Sequence, residues 1–199
     1  MRPPPAVILA GGAARRMGGG DKGRLPLGGG TILSSVIDRL APQAGPLALN
    51  ANDDPARFAD LGLPVLPDPV ADRPGPLAGV LAAMRWAAGL GAEAVVTAAA
   101  DTPFLPCDLV PRLLLAAEGA PIALAATPHP ERGQVRHPVF GFWPVRLAPE
   151  LEAALADGVR KVVIFAEAHG VADAMFPDED AFFNVNTPGD HARAREMVA

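Results

Sequence analysis

Tyrosine is absent from this 199-residue chain, lysine occurs twice and cysteine once. A single cysteine excludes an intrachain disulfide. Cys107 is expected to be a small buried or half-exposed side chain, since a nucleophile or redox sensor would need polar surroundings of its own. Long apolar runs are missing too, and no stretch reads as a bilayer-spanning helix. The opening MRPPPAVILAGG has an apolar run too short for a secretory signal, with glycines directly behind it. No segment is strongly basic and the formal net charge is -5, which argues against a dedicated nucleic-acid binder and against attraction to anionic membranes. The expectation is a protein of the reducing cytoplasm, with no nucleic-acid or membrane partner. The 15 arginines against 2 lysines, together with the wealth of Ala, Pro and Gly, read as a composition bias. Single Ala or Arg residues therefore carry little weight.

Half of the residues are apolar, enough for one ordinary core, and the length suits one domain. Short apolar runs alternate with helical stretches. AVILA (6–10), PLALN, LPVLPD, EAVVTAAAD and PIALAA read as strands. Between them, TILSSVIDRL places Ile32, Leu33, Val36, Ile37 and Leu40 on one helical face behind Thr31 as a cap. DPARFADLG reads as a short helix closed by Gly62, and PLAGVLAAMRWAAG and CDLVPRLLLAAEG as longer ones. Such a βαβα series implies α/β architecture with a mostly parallel sheet. The later region differs. VRHPVFGFW reads as a strand that Pro138 assigns to an edge or a bulge. GVRKVVIFAEAHG keeps helical spacing, and TPGDHARAREMV reads as a last helix with Thr187 as cap and Pro188 in its first turn. The expectation is a single domain over residues 1–199, with residues 1–127 as one half and 128–199 as an α+β extension of the same sheet.

In parallel sheets, functional loops lie beyond the carboxyl ends of the strands. The loop after the first strand carries Gly11, Gly12, Gly18, Gly19 and Gly20 with Arg15, Arg16 and Lys22. Glycines let backbone N–H groups approach an anion, so a polyphosphate cradle is one reading and a mobile surface loop the other. Lys22 is followed by Gly23 and Arg24, which does not fit a P-loop, and the long loop does not fit a dinucleotide fingerprint. Asp101, at a strand end before Thr-Pro, could hold a cation or close a turn. Asn50 and Asp68 also end strands; either could meet a base edge or a ribose. His129, His169 and His191 lack metal-ligand spacing, and His137 reads as a structural edge-strand residue.

The stretch LAGGAARRMGGGDKGRLPL resembles the signature of nucleotidyltransferases that use a nucleoside triphosphate and release pyrophosphate. It is most similar to the molybdenum cofactor guanylyltransferases, the MobA family. PVLPDPVADRPGPLAGVLAAM, ADTPFLP, RHPVFGFW and FFNVNTPGD resemble further blocks of that family, in its order and over nearly the whole chain. One departure is Ala100, where the family often has Cys.

The resemblance implies a three-layer α/β/α, Rossmann-like nucleotidyltransferase fold with a mostly parallel mixed sheet. It implies GMP transfer from GTP to the terminal phosphate of molybdenum-bearing molybdopterin, with Mg²⁺ as cofactor. Lys22 and Arg16 would be the cations on the phosphates, and Asp101 the metal ligand. Leu9, Ala10, Gly11, Gly12, Asn50, Asp68 and Gly79 would join Lys22 and Asp101 in holding the nucleotide. Asn184 and Asn186 would serve the pterin acceptor. Transient contact with cofactor-biosynthesis proteins or molybdoenzyme chaperones follows from handing on the product. The alternatives are a CTP-dependent molybdopterin cytidylyltransferase, a sugar-1-phosphate nucleotidyltransferase, and a molybdenum-cofactor-binding module without catalysis.

Overall fold

The run Ala6–Leu9 is β1, near the middle of the sheet in a computed structural model that describes residues 2–10, 22–70 and 75–198. Its side chains alternate, Ala6 and Ile8 entering one core and Val7 and Leu9 the other. Burial on both faces explains why this strand is a continuous apolar run. A small antiparallel hairpin follows, made of β2 (Pro26–Leu27) and β3 (Gly30–Thr31). The main sheet adds β4 (Leu47–Asn50), β5 (Val65–Leu66), β6 (Ala94–Ala99), β7 (Ile122–His129), β8 (Gly133–Pro144) and β9 (Val171–Met175). The order is β5-β4-β1-β6-β8-β7-β9, and β8 alone runs against its neighbours.

Helices α1 (Ile32–Leu40) and α3 (Leu109–Ala116) pack on one face. On the other lie α2 (Pro76–Gly89), α4 (Ala148–Ala156) and α5 (Val162–His169). The result is a three-layer α/β/α fold with a mostly parallel mixed sheet. α1 starts where the sequence predicts: Thr31 Oγ1 accepts from Ser34 N–H and Ser34 Oγ accepts from Thr31 N–H, a reciprocal cap. The turn Pro55–Leu61 is closed by Gly62 at φ 64°, as expected of a left-handed stop. The segment that keeps helical spacing near residue 162 is helical, as α5.

Of the two places that Pro138 allows, the structure shows the bulge and not the edge: β8 is an interior strand that pairs with β6 on one side and β7 on the other, which corrects the edge-strand reading of His137. Pro138 is tolerated there by an irregularity: the β7 register jumps from Leu124↔Gly141 to Ala125↔His137. Thr97, buried on β6, ties this bulge down. Its hydroxyl donates to the Val139 carbonyl at 2.7 Å and accepts from the Trp143 indole at 2.9 Å. His137 is therefore an interior-strand residue. Its ring stacks on Phe182 with centroids 4.3 Å apart, its Nε2 lies 2.9 Å from Thr127 Oγ1, and burial pushes its pKa down. Elements α4, β9 and the β2–β3 hairpin are additions that the sequence pattern did not reveal.

The last helix, α6 (Pro188–Met197), joins a third apolar cluster of Leu27, Ile32, Val185 and Ala194. This cluster packs the end of the chain against the segment that follows Lys22. Among the described residues no helix is long and apolar enough to cross a membrane.

Candidate functional site

Four parallel strands end side by side in the order β5, β4, β1, β6. Their carboxyl ends lead into Asp68, Asn50, Ala10 and Asp101 respectively. Ladder bonds run past the strand ends and fix their relative height. Ala10 N–H donates to Asn50 O at 2.9 Å, and Ala100 N–H to Leu9 O at 3.1 Å. Strand neighbours lie about 4.8 Å apart, so the three intervals from β5 to β6 span roughly 14 Å. The edge is wide enough for a nucleotide lying across it.

At the β5–β4 end, Asn50 is buried and its amide is committed. Nδ2 donates to Leu66 O and to Asp68 Oδ1, both at 3.0 Å. Gly79, in the first turns of α2, is packed against this amide. A Cβ there would overlap Asn50 Oδ1 and sit 3.1 Å from Leu9 Cδ2. Gly79 thus permits the close packing of α2 on the ends of β4 and β1. The expected pair Asn50 and Asp68 are brought into direct contact, but their parts differ: Asp68 is half-exposed, and Asn50 holds it.

At the β6 end, Asp101 is half-buried, and burial pushes its pKa up. A backbone N–H, the Lys22 ammonium and the Thr102 hydroxyl pull in the other direction without cancelling that effect. Val185 N–H donates to the Asp101 carbonyl at 2.9 Å. Thr102, fully buried, donates its hydroxyl to Asn184 Oδ1 and stands 3.5 Å from Asp101 Oδ1. Lys22 Nζ donates to Asn186 Oδ1 at 3.1 Å. The backbone N–H groups of Asn186 and Thr187 are gripped by Asp190 Oδ2, and Thr187 Oγ1 caps Asp190, so the α6 cap aims Asn186 at Lys22. Those backbone donors hold the Asp190 carboxyl below its ordinary pKa.

Lys22 opens a short 3-10 turn, Lys22–Arg24, inside the long loop. Arg24 anchors that turn through both carboxylate oxygens of Asp60, at 2.5 and 2.7 Å, and through Arg57 O at 2.5 Å. Arginine holds the scaffold by a planar fork while the ammonium faces the site. Gly11, Gly12 and Arg16, named above for the phosphates, lie outside the described residues. Asn52, Thr102 and Arg24 take part in the site's geometry and were not singled out from the sequence. The run Asn-Ala-Asn that closes β4 and leads out of it was the one visible signal for Asn52. Cys107 is exposed rather than buried or half-exposed as expected, with Sγ 3.6 Å from Arg39 Nη1.

An α/β/α fold whose parallel strand ends present a carboxylate and a second, amide-held carboxylate, with a loop ammonium beside them, is the frame of a nucleotidyltransferase. The chain belongs to the MobA-like NTP transferase domain family, matched over residues 6–171. It is 55% identical over 181 residues to a molybdenum cofactor guanylyltransferase from Cereibacter sphaeroides, covering 90% of this chain and 89% of that one. It is 50% identical over 188 residues to a molybdenum cofactor guanylyltransferase from Bradyrhizobium, covering 91% and 86%. Its structure superposes on molybdopterin-guanine dinucleotide biosynthesis protein A from Archaeoglobus fulgidus with TM-score 0.73, at 25% identity and over 97% of both chains. It is an enzyme of the nucleotidyltransferase class.

Proposed function

We propose that this protein transfers GMP from GTP to the terminal phosphate of molybdenum-bearing molybdopterin, releasing pyrophosphate and forming molybdopterin guanine dinucleotide. The names of the half-identical relatives support this donor and acceptor. The observation that carries the reading is the meeting of Lys22, Asp101 and the Asn184–Asn186 segment at one corner of the sheet edge.

In this mechanism an oxygen of the acceptor's terminal phosphate attacks the α-phosphorus of GTP in line. The bond from the α-phosphorus to the bridging oxygen of the β-phosphate breaks, and that electron pair leaves with pyrophosphate. A phosphate nucleophile is ionised at neutral pH, so no strong general base is needed. Catalysis is positioning and charge neutralisation. Lys22 shifts from Asn186 to the triphosphate and follows the charge that grows on the leaving group. Arg16 adds a second cation. Leu9 to Gly12 offer backbone groups to the nucleotide, and Asp68 meets the guanine edge, accepting from N1–H and the 2-amino group. Asn50 and Gly79 hold Asp68 in place.

Asp101 fits a divalent cation. Its carboxylate is costly to keep charged where it is, and among the described residues no cluster of three or more acidic, His or Cys side chains competes for one. A single carboxylate suits Mg²⁺, which prefers one or two protein oxygens with phosphate and water completing its shell. When bound, Mg²⁺ supplies neutralisation of the phosphate charge. Asn184 uses its oxygen on Thr102, so its Nδ2 is the group offered to the acceptor, while Asn186 offers its whole amide once Lys22 has moved to the triphosphate. Residues 128–199 thus form the acceptor side of the same domain whose first 127 residues hold the nucleotide. The work is done in the cytoplasm, where the exposed Cys107 thiol stays reduced.

Pyrophosphate release, followed with GTP, CTP and ATP and with or without molybdenum-loaded molybdopterin, tests the reading. Release that requires GTP and the pterin together supports it. A preference for CTP, turnover on a sugar 1-phosphate, or binding of the pterin with no turnover would each replace it with another activity.

A further inference from the structure

We infer that Asn52 is a specificity-positioning residue: it locks the plane of the Asp68 carboxylate and so sets how well guanine is chosen over other bases. The contacts are three. Asn52 Nδ2 donates to Asp68 Oδ2 at 2.6 Å, Asn52 Oδ1 accepts from Asp68 N–H at 2.8 Å, and Asn50 Nδ2 donates to Asp68 Oδ1 at 3.0 Å. Each carboxylate oxygen therefore receives one amide N–H from a different side chain. The two asparagines stand at and just beyond the end of β4, and Asp68 just beyond the end of the neighbouring β5. Asn52 grips both the backbone and the side chain of Asp68, which fixes position and rotation together.

Rotation matters here. The last torsion of an aspartate is broad, with no sharp preference of its own. A carboxylate has about four lone-pair sites, so one acceptor position per oxygen remains after the asparagines are satisfied. Two parallel acceptors held in a fixed plane match two neighbouring N–H donors, the pattern of the guanine N1 and 2-amino edge. Cytosine and adenine do not present that pair. A freely turning carboxylate would still attract N–H donors, but with less discrimination. The inference rests on the reading of Asp68 as the group that meets the base.

The test compares Asn52→Ala, Asn52→Asp and Asp68→Ala with wild type, measuring kcat and KM for GTP and for CTP by pyrophosphate release, with thermal melting of each protein. Asn52→Asp keeps size and the acceptor for Asp68 N–H, but sets a carboxylate oxygen against Asp68 Oδ2 in place of a donor. Both Asn52 variants should lower the GTP-over-CTP ratio of kcat/KM by about fivefold to fiftyfold, the range for loss of a buried hydrogen-bonded match. The loss should fall on KM for GTP more than on kcat, with CTP kinetics changed less. A merely structural role would lower Tm and slow both nucleotides alike. If Asp68→Ala collapses base choice while both Asn52 variants keep the wild-type ratio, the role of Asn52 is overturned and the reading of Asp68 stands. If Asp68→Ala itself leaves the ratio intact, Asp68 does not read the base and the inference falls with that reading.

Discussion

Asn186 accepts a hydrogen bond from Lys22, a residue 164 positions earlier in the chain, at 3.1 Å. The contact exists because α6 and the segment before it pack on the β2–β3 hairpin and the start of α1 through Leu27, Ile32, Val185 and Ala194. His191 adds a polar tie, its Nε2 lying 2.7 Å from Pro26 O. An apolar cluster that includes Val185, between Asn184 and Asn186, thus brings together Lys22 and Asn186, the proposed phosphate-side cation and acceptor-side amide. In the proposed mechanism a triphosphate draws Lys22 away and the Asn186 oxygen gives up its charged donor, so one side-chain exchange would join the two halves of the site.

The first prediction concerns that lysine. Lys22→Ala should cost about a hundredfold or more in kcat, the scale for removing one group aimed at developing charge. Melting should change little, because a half-buried lysine with one outward hydrogen bond has little packing to lose. Lys22→Arg should also be impaired, since a planar fork cannot follow the moving charge as a compact ammonium does. Dinucleotide synthesis by Lys22→Ala at the wild-type rate would remove Lys22 from the mechanism.

The second concerns Asp101, where activity and stability should move in opposite directions. Asp101→Asn keeps the shape and loses the charge, so turnover should drop by about three orders of magnitude, with partial recovery in excess Mg²⁺. Burial raises the folded-state pKa of this group above its ordinary 3.8. Between 3.8 and that raised value the folded protein binds more protons than the unfolded chain. This carboxylate therefore withdraws stability as pH rises through that window, and the deficit persists at neutral pH. The metal-free wild type should melt below Asp101→Asn at pH 7, and the difference should shrink as pH falls toward 3.8. Equal melting at both pH values would show that no such penalty is stored there.

Much of this was legible in the sequence because the physics was local. β1, β4 and β6 are short apolar runs, β4 ending on Asn50 and β6 leading into Asp101, and α1 and α6 begin at Thr caps whose partners lie three residues on. β9 escaped because VADAM is an edge strand with one buried side chain, so no period shows in it. α4 buries only Leu151 and Leu155, one helical turn apart and too sparse a stripe to stand out. The interior place of β8 is a property of topology, since a strand cannot reveal which sheet neighbours flank it. The site divides in the same way. Strand-end residues were visible from position alone, while the link from Asn184 to Thr102 and from Asn186 to Lys22 depends on how α6 docks.

The third prediction addresses Gly79. Gly79→Ala would push a methyl group into Asn50 Oδ1, and that amide is pinned by Leu66 O and Asp68 at 3.0 Å each. The side chain has no easy retreat, so the cost should be about 1–3 kcal/mol, with a rise in KM for GTP as Asp68 shifts. The diagnostic is a double-mutant cycle. In an Asn50→Ala background the added methyl finds space, and most of its cost should vanish. A cost of Gly79→Ala that is the same in both backgrounds would assign the glycine to general helix packing near Leu9.

The last concerns which strand end chooses the base. Asn50 has both amide hydrogens committed to Leu66 O and Asp68, whereas Asp68 is half-exposed at the edge. The two residues should therefore fail differently. Asp68→Ala deletes the acceptors themselves, leaving the guanine donors unpaired, at a cost of about 1–3 kcal/mol, or roughly tenfold to a hundredfold in selection. That loss should fall on GTP and leave CTP turnover nearly as it was. Asn50→Ala leaves the carboxylate in place but removes its support and opens a gap beside Gly79. It should lower melting temperature as well as GTP affinity, and narrow the GTP-over-CTP gap by less than Asp68→Ala. Turnover with both nucleotides, measured beside melting curves for wild type and the two variants, separates these patterns. If both variants weaken GTP and CTP in equal proportion, Asp68 contacts the ribose, and the choice of base falls to backbone groups of Leu9 to Gly12 and Gly75 to Gly79.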